Sequence, residues 1–292
     1  MSGRILITGG AGSMGREAAL ALARQGRRVR VLDLPQCDFS ALEGVAGIEI
    51  VRGSIAEGNV VRRAVEEVDA VIHRAAILPP ASERDRELTM RVNVEGTRRL
   101  LAALQEANPQ AHLIFSSSVC VYGDTSATTA PLTVTHPPRP IDLYGESKAL
   151  AEELVRGSDL PYTTLRISGV AVPAFLAPPE VWPFMAQQRI EYVCRDDVVT
   201  ALVACVGNSA VLGQTFHVAG GPTWRMCGQE YVARWNEVMG LEPDDALYLE
   251  RPGTFDWYDT DAAQAILHYQ NTSFDAFLEL LGRAIEEALG GM

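Results

Sequence analysis

Cysteine is scarce and unpatterned in this 292-residue chain. Cys37, Cys120, Cys194, Cys205 and Cys227 are odd in number, and no two are spaced as CxxC. A disulfide framework and a structural zinc site are thereby disfavoured, and reduced thiols in a cytoplasm are expected. Positive charge is also short. Against 37 Asp and Glu there are only 25 Lys and Arg, for a net charge of −12. Such a chain lacks the cationic surplus that neutralises a nucleic-acid backbone, so no nucleic-acid partner is expected. Apolar runs such as 198–206 fall far short of the ~20 residues that span a bilayer, so no membrane partner is expected either. No charged leader and apolar signal core precede the first apolar strand, which predicts no export signal and a cytoplasmic location. The five histidines, His73, His112, His136, His217 and His268, show no mutual spacing that suggests a metal site, and none is expected. Internal repeats and low-complexity tracts are absent.

What the chain does have is alternation. Short β-branched runs at 4–7, 29–32, 48–51, 70–73, 112–115 and 162–166 read as strands. Amphipathic stretches at 15–25, 59–67, 89–106 and 143–155 read as helices between them. Strands alternating with helices predict a parallel sheet covered on both faces, and right-handed crossovers make it doubly wound. After Arg166 the alternation stops and Pro173, Pro178, Pro179 and Pro183 gather. A helix over 194–205 and a last sheet strand over 215–218 follow, then helices over 228–239 and 274–289. The expected division is a nucleotide-binding core at 1–166 and 196–222. A smaller, discontinuous substrate lobe takes 167–195 and 223–292.

Thr8-Gly9-Gly10-Ala11-Gly12-Ser13-Met14-Gly15 lies between the first strand and the first helix. Glycines there let the backbone approach a pyrophosphate, while the helix N-terminus offers N–H groups and a favourable dipole. Gly9, Gly12, Ser13, Met14 and Gly15 are therefore candidate cofactor residues. Asp33 ends the second strand, about 20 residues on, where a carboxylate can accept both ribose hydroxyls of NAD. It would repel a 2′-phosphate, so NAD is favoured over NADP.

Tyr144 and Lys148 stand at i and i+4, on one face of a helix. A free phenol has a pKa near 10, too high for a good base at neutral pH, and a neighbouring ammonium favours the phenolate. The lysine can also bond the nicotinamide ribose. Ser116, Ser117 and Ser118 sit at the C-terminal end of the fifth strand, where ligands meet such sheets. Ser118 is the preferred partner for the reacting oxygen, with Ser117 its competitor.

Together these residues resemble the extended short-chain dehydrogenases, the NAD-dependent epimerase/dehydratase family, along nearly the whole chain. The likeness includes His73-Arg74-Ala75-Ala76, Asn93-Val94-Glu95-Gly96-Thr97, Leu165-Arg166 and Trp257-Tyr258-Asp259. It implies a Rossmann-type doubly wound α/β fold and catalytic Ser118, Tyr144 and Lys148. It implies NAD held also by Ser54, Ile55, Ala75, Ala76, Asn93 and Ser116. It further implies a homodimer formed by the helices beginning near Thr89 and Leu143.

Departures from the family pattern bear on substrate. Val119 and Cys120 stand where sugar-nucleotide 4,6-dehydratases carry an Asp-Glu pair, which argues against that reaction. Gly169 stands where sugar-nucleotide enzymes usually show an asparagine, and Ala171-Val172-Pro173 replaces Tyr-Gly-Pro. Arg189 is slightly out of register with the family arginine, and Ser54 follows Gly53 in place of aspartate. The expected function is NAD-dependent oxidation of a secondary alcohol, or reduction of the carbonyl, on a small sugar, sugar acid or hydroxy-ketone. The alternatives are a redox-neutral epimerase and a non-catalytic NAD-sensing protein.

Overall fold

Successive apolar residues such as Ile5-Leu6-Ile7 need cover on both faces of their strand, and all three are buried. The computed structural model describes residues 3–290. In chain order the elements begin with β1 (Arg4–Thr8), α1 (Ser13–Arg24), β2 (Arg28–Asp33), β3 (Ile48–Arg52), α2 (Gly58–Ala64) and β4 (Val68–His73). Next come α3 (Arg86–Met90), α4 (Gly96–Ala107), β5 (His112–Ser118), α5 (Leu143–Arg156), β6 (Tyr162–Ile167), β7 (Val170–Ala171) and β8 (Arg189–Glu191). The chain then forms β9 (Val193–Cys194), α6 (Arg195–Cys205), β10 (Gln214–Val218), β11 (Arg225–Cys227), α7 (Gly228–Met239), α8 (Asp261–Leu267) and α9 (Phe274–Gly290).

Seven parallel strands make the main sheet in the order β10-β6-β5-β4-β1-β2-β3. One apolar layer joins Ala18, Ala19 and Leu22 of α1 to Val198 and Leu202 of α6 and to Ala263 and Leu267 of α8. The opposite layer joins Val61 of α2, Leu100 and Leu104 of α4, and Ala151 and Val155 of α5. A third cluster, with Trp182, Phe184, Trp224 and Tyr231, lies against Phe274 and Phe277 of α9. Three of the four tryptophans are therefore core there or beside it, and the fourth, Trp257, donates its indole N–H to the Met226 carbonyl at 3.3 Å.

All seven strands and the long helices of the sequence reading are present. Two details differ. The helix expected over 89–106 is α3 and α4 joined through a π-helical stretch, Arg91–Glu95, where Thr97 Oγ1 donates to the Asn93 carbonyl at 2.6 Å. The short α8 escaped the sequence reading, because seven residues give too few turns for a clear period.

Burial leaves three histidines uncharged. It lowers the pKa of His73 to about 3, and those of His112 and His217 to about 4. Their folded values lie below the unfolded 6.5, so the unfolded chain takes up protons first as the pH falls. Their contribution is present above pH 6.5 and is lost as the pH falls toward 4, about 2 kcal/mol apiece at pH 5. Buried Glu191 and Asp197, whose pKa values burial raises, oppose this loss. Urea unfolding at pH 7.5 and pH 5 should show a net stability loss at the lower pH. Equal midpoints would contradict neutral burial of these rings.

Candidate active site

The strand order reverses between β1 and β4, with β2 and β3 on one side and β5, β6 and β10 on the other. Chain leaving β1 and β4 diverges there, which opens a crevice at the C-terminal ends of the strands. A cavity of about 480 Å³ fills that crevice. Gly9, Gly12, Ser13, Met14, Gly15, Asp33, Ser54, Ile55, Ala75 and Ala76 all line it. Gly9 has a φ of +66°, and a Cβ on it would lie 2.9 Å from the Ala75 nitrogen. A Cβ on Gly15 would strike the Gly9 carbonyl oxygen. The loop can therefore pass close to the β4 chain only as glycine.

Asp33 is oriented from both sides. Its carboxylate accepts the Ala11 N–H at 3.0 Å and the Leu34 N–H at 2.8 Å. Ser54 lines the wall, but its hydroxyl accepts the Ala56 N–H at 3.1 Å within its own turn. The far wall is built from β4. His73 joins Thr8 Oγ1 at 2.7 Å and Thr97 Oγ1 at 2.9 Å. Thr8 Oγ1 also accepts the N–H groups of Arg74 and Ala75, each at 3.1 Å. The histidine thus ties β1, β4 and α4 together.

Asn93 lies outside the cavity lining, although the sequence suggested it as a cofactor residue. Its amide holds both backbone groups of Ile77, at 2.8 and 3.1 Å, and the Ser147 hydroxyl at 2.9 Å. It positions the wall rather than facing the cavity. Ser116 also stands back from the lining. Its carbonyl accepts Lys148 Nζ at 2.7 Å, and its hydroxyl accepts Arg74 at 3.3 Å. Arg74 does line the cavity, so the wall continues through it toward Tyr144 and Lys148.

Tyr144 stands in the first turn of α5, whose orphan N–H groups need acceptors. Asp142 Oδ1 accepts the Gly145 N–H at 2.6 Å. Glu83 accepts the N–H groups of Leu143 at 2.9 Å and Tyr144 at 3.0 Å. Next to it Arg86 forms a two-pronged pair with Glu146, at 2.7 and 2.6 Å. The mixed charges at 83–87 are therefore a clamp on the tyrosine helix. Only a side chain 60 residues distant supplies it, which is why the sequence did not reveal it.

Ser118 and Ser117 separate cleanly. Ser118 acts on the Tyr144 phenol, lowering its pKa, and its hydroxyl accepts the Cys120 N–H at 3.2 Å. Ser117 is buried and donates to Glu152 Oε1 at 2.5 Å, away from the phenol. Burial raises the Tyr144 pKa more than the Arg74 charge and the Ser118 bond lower it. Lys148 Nζ lies 5.8 Å from the Tyr144 ring centre, and burial, then the Arg74 charge, brings its pKa down to about 7. Arg74 is thus a second cation beside the phenol, and its charge lowers the Tyr144 pKa.

Beyond Tyr144 the surroundings turn apolar. Burial raises the pKa of the Cys120 thiol, which sits 3.3 Å from the Thr254 hydroxyl. A Cβ on Gly169 would strike the Tyr192 ring, which packs on Tyr231 and Phe255 with centroids 5.1 Å apart. Arg189 is held in a two-pronged pair by buried Asp256, at 2.6 and 2.9 Å. Among the described residues no group of three His, Cys, Asp or Glu side chains could hold a metal ion, and no helix is long and apolar enough to cross a membrane.

The glycine loop, the oriented Asp33 and the neighbouring Ser118, Tyr144 and Lys148 fit a dinucleotide with chemistry at one end. Comparison with known proteins agrees with that geometry. The chain is 33% identical over 162 residues to a 3-beta-hydroxysteroid dehydrogenase of Mycolicibacterium neoaurum, covering 54% of this chain and 43% of that protein. It is 35% identical over 176 residues to a UDP-glucose 4-epimerase of Lactobacillus helveticus, covering 58% and 52%. The chain thus spans about half the length of the curated relatives it matches. A short-chain dehydrogenase/reductase superfamily protein from Agrobacterium tumefaciens with bound NAD shares the fold. It has a TM-score of 0.83 at 24% identity, covering 99% of this chain and 98% of that one. Residues 5–187 match the model of the NAD dependent epimerase/dehydratase family, and the chain belongs to that family.

Proposed function

We propose that the chain is an NAD-dependent oxidoreductase acting on a secondary alcohol, or the matching carbonyl, of a small molecule of the sugar, sugar-acid or hydroxy-ketone type. The observation that carries this is that Lys148 Nζ lies 5.8 Å from the Tyr144 ring centre, and that Arg74, whose charge acts on both, lines the glycine-loop cavity. Gly9, Gly12, Ser13, Met14, Gly15 and Asp33 would hold NAD, which supplies the hydride acceptor when bound. Tyr144 takes the proton of the alcohol oxygen, and returns it when a carbonyl is reduced. Ser118 bonds the same oxygen and steadies it. Lys148 keeps one proton on the Ser116 carbonyl and offers the others to the ribose.

A small substrate is favoured over a nucleotide sugar by two side chains. Arg189 is turned to buried Asp256 through Nε and Nη2, and Nη2 also donates to the Thr128 carbonyl, so the side-chain face that would grip a diphosphate in two-pronged fashion is already engaged. Tyr192 fills the space over Gly169 where an asparagine amide would need to stand. A homodimer, a cytoplasmic location and the division into core and discontinuous lobe belong to the same proposal.

The test is NADH formation from excess NAD with a panel of free sugars, sugar acids, hydroxy acids, simple secondary alcohols and nucleotide sugars, followed by product analysis. A steady rise with one class other than nucleotide sugars is the expected result. A rise with nucleotide sugars alone would overturn the substrate class. Inverted carbon centres without net NADH would make the protein a redox-neutral epimerase. Tight NAD binding with neither change would leave an NAD-sensing protein.

A further inference from the structure

Arg74 lowers the Tyr144 pKa but carries no proton to or from the reacting oxygen, and its charge has little else to meet. Its guanidinium reaches Ser116 Oγ at 3.3 Å and Met14 Sδ at 3.5 Å, a long bond to a hydroxyl and a weak one to a thioether. Its Nε is enclosed and has no hydrogen-bond partner. Among the described residues, the one group of opposite sign acting on it is the Tyr144 phenol, which is protonated at neutral pH. Arg74 is half-buried; charges withdrawn from water are ordinarily paired, and desolvation lowers this one's pKa to about 10, so it stays charged at neutral pH. Other arginines of the chain show the usual arrangement: Arg166 lies on Glu152, Arg189 on Asp256 and Arg225 on Glu191.

Its surroundings say what it could meet. Met14 is the second residue of α1, and that helix begins without a side-chain cap and without an acidic residue in its first turn. The first-turn N–H groups therefore face the cavity as donors. Arg74 lines the same cavity, next to that turn. A helix start and a guanidinium with a spare donor make a site for an oxyanion. The weak bonds to Met14 and Ser116 cost little to give up.

We infer that Arg74 holds the pyrophosphate of the dinucleotide together with the first turn of α1, as its side-chain cation. This makes Arg74 a binding residue that the motif did not announce.

The test is binding, read by calorimetry without turnover, of NAD, ADP-ribose and adenosine to the wild-type protein and to Arg74→Met. A charge-assisted bond contributes ~1.5–3 kcal/mol, so the variant should bind NAD and ADP-ribose about 10- to 100-fold more weakly. Adenosine, which has no phosphate, should bind equally to both. Arg74→Lys should recover part of the loss, and salt should weaken ADP-ribose binding less steeply in Arg74→Met. If Arg74→Met does not fold, Arg74→Gln serves in its place. Unchanged ADP-ribose affinity would overturn the proposal and point to an anion on the substrate. An equal loss for adenosine would also overturn it, because the cavity itself would then have collapsed.

Discussion

Tyr144→Phe should lower turnover by roughly 10²–10⁴-fold while NAD binds as tightly as before. Phenylalanine keeps the ring volume in its buried place and removes only the group that exchanges a proton with the reacting oxygen. Ser118 stays in position, because its hydroxyl also accepts the Cys120 N–H. Turnover is measured with the substrate class the panel identifies, and NAD affinity by titration. The wild-type pH profile adds a sign. Burial holds the Tyr144 pKa above the free-phenol value, so the phenol is protonated at neutral pH. Alcohol oxidation, which needs the deprotonated form, should speed up as the pH rises, and carbonyl reduction should slow. Unchanged turnover in Tyr144→Phe would sink the mechanism.

Glu152→Ala should cost about 3–5 kcal/mol of stability, the usual result of removing one partner from a buried ion pair. Glu152 and Arg166 are both buried, with bonds at 3.0, 3.3 and 2.7 Å. Ser117 donates to the same carboxylate, and Arg166 also donates to the Tyr122 hydroxyl at 2.7 Å. That hydroxyl meets His217 Nε2 at 2.5 Å. Losing the carboxylate leaves a guanidinium uncompensated behind the catalytic strand. For a chain of this size the melting temperature should fall by about 10 °C. Adding Arg166→Met to Glu152→Leu should restore much of the loss, since an apolar pair of similar volume can replace a buried ion pair. The Glu152 charge also raises the Lys148 pKa, so its removal should shift the lysine further down. A melting temperature equal to wild type would show that the pair holds nothing together.

The parts legible in the sequence were those written in short-range periods. Strands such as Ile5-Leu6-Ile7 announce themselves because both faces are buried. Tyr144 and Lys148 announce themselves because four residues make one turn. What stayed hidden depends on contacts between distant residues. Glu83 reaches α5 from 60 residues away, and Asp256 reaches Arg189 from 67. Neither has a local pattern. The contacts of Asn93 are hidden for a related reason: its side chain turns to the Ile77 backbone, a choice fixed by the wall it supports. Arg74 stood inside a noted motif, yet only its surroundings show that its charge lacks a counterpart. Ser117 and Ser118 could be told apart only by the neighbours each one meets.

Every residue lining the dinucleotide cavity falls between Gly9 and Val92, and Ser118, Tyr144 and Lys148 follow before β6. Arg189 and Asp256, which the proposed function reads as disfavouring a diphosphate, come after residue 187, where the family match ends. The proposed cofactor and proton residues are therefore encoded as one uninterrupted stretch, and the two proposed determinants of substrate choice come later. An exchange of coding sequence near that boundary could pass the reactive machinery on intact while handing it a different molecule to work on.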